Sequence, residues 1–205
     1  MTNCKYFLIM VFSLSLSART FAQSEKEHFT SRLYFPFDIG YLNSPGHNLQ
    51  SGIIVKMAME YRLHRLNGWY VRFNVDNRSN SYNKNEVIGS NILKGKVKFN
   101  DYLAGIGFRF GHWHKVRQFC LLQGGIADCE YPNVLSYKDS YTLEYKHISI
   151  PEIKLSAGCE YYLQKSVALT LEIGYIWNLR SNTFDSGAID QGALGISFGM
   201  STNLF

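Results

Sequence analysis

Residues 167–177 read VALTLEIGYIW. Val167, Leu169, Leu171, Ile173, Tyr175 and Trp177 are apolar or aromatic, and Ala168, Thr170, Glu172, Gly174 and Ile176 lie between them. A period of two puts these sets on opposite faces of an extended strand. One face suits hydrocarbon and the other does not. Just before it, Ile153, Leu155, Ala157, Cys159 and Tyr161 alternate with Lys154, Ser156, Gly158, Glu160 and Tyr162, and Leu163 to Ser166 form a tight turn between the two segments.

Working outward, the same alternation marks Leu33–Tyr41, Ile53–Leu63, Trp69–Asp76 (after the Asn67-Gly68 hairpin signal), Tyr102–Gly111 and Leu194–Leu204. A further strand falls near Phe119 to Ala127, where the Gln123-Gly124-Gly125 centre leaves its parity open. That makes eight strands. Connections near 64–68, 112–117 and 163–166 are short, those near 77–100, 128–150 and 178–192 are long, and the one near 43–51 is intermediate. Alternating short and long connections predict an all-β, eight-stranded antiparallel up-and-down barrel that spans a membrane, with no backbone edge left open to lipid.

The chain is 205 residues, one domain by length, with 31 aromatic residues of which 14 are Tyr and 14 Phe, a load typical of strands. Its formal charge of +5 includes Lys5 and Arg19 of a leader without acids, which leaves +3. That is too mild for a nucleic-acid partner. Residues 1–22 read as a secretory signal peptide: Lys5 supplies the positive region, Tyr6 to Leu16 the apolar run, and Thr20-Phe21-Ala22 the cleavage site. Residues 23–205 are then the barrel domain. Past residue 22 no apolar run approaches a helical membrane span. Cys4 leaves with the leader; Cys120, Cys129 and Cys159 remain, an odd number that reads as structural thiols without an essential disulfide.

A lipocalin-like carrier would show the same periodicity with the apolar face inward, so the content of the polar face has to separate the two. That face collects Lys56, Arg62, Arg72, Arg109 and Lys154 against Asp38, Glu60, Asp76, Glu160 and Glu172. Balanced charge is what a narrow lumen requires, because ions removed from water must be paired. Aromatics fall in two belts: Tyr61, Trp69, Phe108, Phe110, Tyr161 and the terminal Phe205 near the turn end, and Tyr41, Tyr175 and Trp177 near the loop end. With these features, residues 30–205 resemble the small eight-stranded bacterial outer-membrane β-barrel family, which includes the transmembrane domain of outer membrane protein A and the PorT-like proteins. The resemblance implies an outer-membrane location and a monomer. Phe205 departs from the family in being out of phase with Leu204, Thr202 and Met200.

Chemistry is sparse. His112-Trp113-His114 offers two imidazoles without a third ligand and reads as an interfacial turn, so no metal or cofactor is expected. His147-Ile148-Ser149 with Glu160 eleven residues on is similar to the His-x-Ser and later Glu of outer-membrane lipid A deacylases, although Ile150 stands where that family has Asn. The expected function is a structural or surface-interaction barrel without an open pore, with outer-membrane lipid as partner and an extracellular ligand or surface partner at the long loops. The alternatives are a lipid A-modifying hydrolase on His147, Ser149 and Glu160, and an exported lipocalin-like carrier.

Overall fold

In a β-strand each residue's side chain points opposite to the next, so a segment that alternates in polarity is stable only between two different environments. The computed structural model describes residues 32–44, 49–63, 68–88, 91–113, 115–137, 140–164, 166–179 and 192–203. Residues 1–22, expected to be a leader, and Phe205 lie outside the described residues. Eight strands follow in chain order: β1 Leu33–Asn43, β2 Leu49–Arg62, β3 Trp69–Ile88, β4 Asn91–Trp113, β5 Val116–Tyr137, β6 Ser140–Gln164, β7 Val167–Asn178 and β8 Ala193–Thr202. Each pairs antiparallel with its neighbours, and β1 closes on β8 through Phe35↔Thr202 to Asn43↔Leu194. The up-and-down barrel is as the sequence predicts.

Two connections expected as long loops are strands instead. β3 and β4 stay paired as far as Ile88↔Asn91, and β5 and β6 as far as Tyr137↔Ser140. Consequently β3 to β6 are 20 to 25 residues long while the other four have 10 to 14. About 9 to 11 residues cross a bilayer. The central strands therefore continue well past the lipid band as a two-hairpin wall at the loop end. The connection between β7 and β8 is the long one, and Gly192 enters β8 with φ of 136°, a backbone geometry that favours glycine.

Pairing settles the parity of β5. Arg117, Phe119, Leu121, Gln123, Ala127 and Cys129 face inward and are buried, while Cys120, Leu122 and Ile126 face outward. Two inward glycines make room for rings: a Cβ on Gly107 would stand 2.2 Å from the Tyr70 ring, and one on Gly158 would stand 2.7 Å from that of Phe119. Toward the loop end the interior turns apolar, with Val97, Phe99, Ala127, Cys129 and Ile150 in one buried cluster and Tyr131 and Ile148 packed against it. Cys129, expected in a loop, is thus a core residue beyond the lipid band, where burial pushes its thiol up to about 12. Cys120 and Cys159 are diagonal neighbours on the outward face through Cys120↔Ala157 and Gln118↔Cys159, and all three thiols are free.

Candidate functional site

The inward face of the spanning strands is a packed ion network. Glu60 (β2) accepts from Arg72 (2.9 Å) and Arg109 (2.8 Å), and Arg62 lies 3.6 Å away. Arg109 also donates to both oxygens of Glu160 at 2.9 and 2.7 Å. The Tyr162 hydroxyl donates to Glu160 (2.7 Å) and accepts from Arg62 (3.0 Å). The guanidinium groups also stack on rings: Arg62 lies 3.8 Å from the Tyr34 centroid and Arg109 4.1 Å from that of Tyr70.

Further along the lumen Glu172 takes the Lys56 ammonium (2.8 Å) and Arg72 (3.3 Å), while Lys56 also donates to Ser197. Lys154 donates to Asp76 (2.7 Å) and stands 3.6 Å from Glu172, so it links two acids. Asn74 donates to Asp76 and accepts from Gln123, each at 3.0 Å. Asp38 accepts from the Thr170 hydroxyl. Nearest the loop end Arg78 bridges Asp101 and Glu152 at 2.7 Å each, with its guanidinium 4.5 Å from the Phe99 ring.

All ten residues expected in the lumen are there and buried. Sequence reading missed four more: Arg78 and Arg117 lie in segments taken for a loop and a turn, and Asp101 and Glu152 lie just before the expected strand starts at Tyr102 and Ile153; the inward parity continues through all four. The additions keep the balance. Among the described residues the buried cations are Lys56, Arg62, Arg72, Arg78, Arg109, Arg117 and Lys154, and the buried anions Asp38, Glu60, Asp76, Asp101, Glu152, Glu160 and Glu172. Each charge lost from water is costly, and shared hydrogen-bonded partners offset that cost.

The exterior is the reverse. Outward residues from Ile53 to Tyr61 on β2, Tyr102 to Phe108 on β4 and Leu194 to Met200 on β8 are apolar or aromatic, and all are exposed except the half-buried Val55. A stretch of about nine residues, tilted as barrel strands are, makes a band roughly 20–25 Å tall, the height of a hydrocarbon layer. An apolar outside over a charged inside is the inverse of a lipocalin, and it sets the carrier alternative aside. Tyr61, Trp69, Phe108 and Tyr161 stand outward near the turn end, as expected, with Phe110 beside them; Trp69 and Phe108 are 4.9 Å apart. Tyr41, Tyr175 and Trp177 mark the loop end, the last two 4.6 Å apart, and Tyr102 joins them.

The hydrolase trio does not assemble. His147 and Ser149 point outward on β6, while Glu160 is buried inward and held by Arg109. Eleven strand residues separate Ser149 from Glu160, roughly 36 Å. An unexpected acid does stand by the pair: Asp128 of β5 is 3.6 Å from His147 Nδ1 and directly opposite Ser149. The side chains of His112 and His114 lie outside the described residues, among which no metal-ligand cluster occurs.

No protein-family profile and no curated protein matches the chain. Solved structures do. Neisserial surface protein A aligns with TM-score 0.56 and 16% identity over 84% of this chain and 97% of that one. The outer membrane protein OprG of Pseudomonas aeruginosa aligns with TM-score 0.59 and 9% identity over 88% of this chain and 100% of that one. At such identities the likeness is one of fold.

Proposed function

We propose, from a chain with the fold of the small eight-stranded bacterial outer-membrane barrels, an integral outer-membrane protein whose spanning part is solid and whose wall above the membrane is an interaction surface. One observation carries the reading: β3 to β6 continue as paired strands for several residues beyond their last lipid-facing apolar side chains. A structural span alone needs no such length. The lumen is filled by paired charges and rings, leaving no continuous pore, as eight strands allow. The turn end then faces the periplasm and the hairpin wall the outside of the cell.

Deleting residues 131–146 joins Glu130 to His147, which already face each other across β5 and β6. We expect this variant to stay in the outer membrane and to migrate differently on a denaturing gel before and after boiling. Intact cells carrying it should lose adhesion to protein-coated surfaces. Unchanged adhesion at equal surface abundance would defeat the interaction role.

A catalytic reading has one point in its favour, the Asp128 carboxylate beside His147 and opposite Ser149. Against it, Asp128 and His147 exceed hydrogen-bond distance, and Glu160 is committed to the lumen. We read the barrel as non-catalytic. Mass spectra of lipid A should be the same for cells expressing the wild type, His147→Ala or Ser149→Ala, and loss of one acyl chain with the wild type alone would reverse that reading.

A further inference from the structure

Among the described residues, β6 is bonded on one side only above the lipid band. On the β5 side its ladder runs from Val116↔Tyr161 to Tyr137↔Ser140 without a register shift. On the β7 side pairing stops at Glu152↔Asn178, and the last backbone bond runs from the Leu179 N–H to the Pro151 carbonyl, 2.9 Å. Pro151 has no N–H to return. Beyond it, among the described residues, no strand pairs with residues 140–150 on that side.

The direction of the free groups follows from the ladder. In an antiparallel sheet the N–H and C=O of one residue point to the same neighbour, and the next residue's to the other. Tyr162 donates its N–H to Lys115, at the foot of β5, and Pro151 faces β7, so even residues of β6 serve β5 and odd residues the open side. The backbones of Tyr141, Leu143, Tyr145, His147 and Ser149 therefore offer their N–H and C=O groups outward from the sheet edge. Neither proline nor bulge, the usual guards of an edge strand, interrupts this run. Residues 144–147 are all exposed, Tyr145 at 54%.

We propose that this open edge of β6 binds an extended, proline-free segment of a separate polypeptide by strand addition. The proposal rests on the surface-interaction reading and names its mode. A second copy in the same membrane is the wrong partner. Strands tilt about 35–45° from the membrane normal, so a two-fold axis along the normal would cross two β6 edges at roughly 70–90° and no ladder could form. An extracellular segment is free to align.

The test uses the full-length barrel in detergent micelles and amide hydrogen exchange. Without ligand, the amides of Tyr145, His147 and Ser149 should exchange fast and those of Lys146, Ile148 and Ile150 slowly. The probe is a synthetic peptide of about ten alternating Thr and Val residues with Lys at each end; its control has Pro at every second position. The probe should slow the three odd amides by about tenfold or more, and the control should not. His147→Pro should keep heat-modifiable migration, since its N–H faces away from β5 and no described strand pairs with it on the other side, yet bind the probe about tenfold more weakly. Slow exchange of the odd amides without peptide would mean that the chain covers its own edge and would overturn the proposal. Equal protection by the proline control, or none by the probe, would overturn it too. If deletion of 131–146 abolishes adhesion while the probe protects nothing, the surface role stands and strand addition falls.

Discussion

Leu171 and Thr170 are neighbours in the chain and live in different solvents: one meets lipid, the other lies in the lumen bonded to Asp38. Parity decides the effect of a charge at such positions. Leu171→Arg puts a guanidinium against hydrocarbon and should cost about 2–4 kcal/mol of barrel stability. Asn100→Arg, outward on β4 but two residues beyond Tyr102, should change it by less than about 0.5 kcal/mol. Urea unfolding from lipid vesicles, followed by tryptophan fluorescence, compares the two directly; similar losses would show that the lipid band is misplaced. This much was legible in the sequence, because Leu171 and Thr170 sit in an unbroken alternation. Cys129 was not, since its apolar neighbours Phe99 and Ile150 come from other strands and no local pattern announces them.

At the scale of the strand, legibility depended on contrast between the two faces. β7 reads clearly because Leu169, Leu171 and Ile173 oppose Thr170 and Glu172. The far half of β3 does not, because Asn77 and Ser79 outside and Arg78 and Asn80 inside are all polar, as a strand with water on one face and an ion network on the other should be. Arg78 was lost to the site for that reason, whereas Asp101 and Glu152 sit where the apolar residues change from the inner face (Phe99, Ile150) to the outer one (Tyr102, Ile153). In β5 the obstacle was Gly124-Gly125, which carries no side chain to compare. Glycine in these strands is spatial as much as conformational, and Gly107 shows it. Gly107→Val should drive a side chain into the Tyr70 ring and cost about 1–3 kcal/mol. With Tyr70→Leu in the same chain part of that loss should return, so the double-mutant cycle should be non-additive. Additive losses in urea would mean that the ring is not what Gly107 accommodates.

At the scale of the molecule, the matched numbers of buried cations and anions among the described residues point to net neutrality of the lumen, more than any one ion, as what the fold requires. Lys154 and Asp76 allow the idea to be tested, for they are a close pair at 2.7 Å and both are buried. Lys154→Met leaves Asp76 with the Asn74 amide as its side-chain partner among the described residues, and Asp76→Leu leaves Lys154 with Glu172 at 3.6 Å. Each single change strands a charge in a low-dielectric interior and should cost about 3–5 kcal/mol. Changing both removes one charge of each sign, keeps the volume filled with apolar atoms and leaves the Glu172 cluster with Lys56 and Arg72. The double variant should therefore be more stable than either single one and within about 1–2 kcal/mol of the wild type. Urea midpoints of the four proteins in vesicles decide it: if the double variant loses the sum of the two single losses, the lumen depends on these ions individually and the balance of charge is incidental.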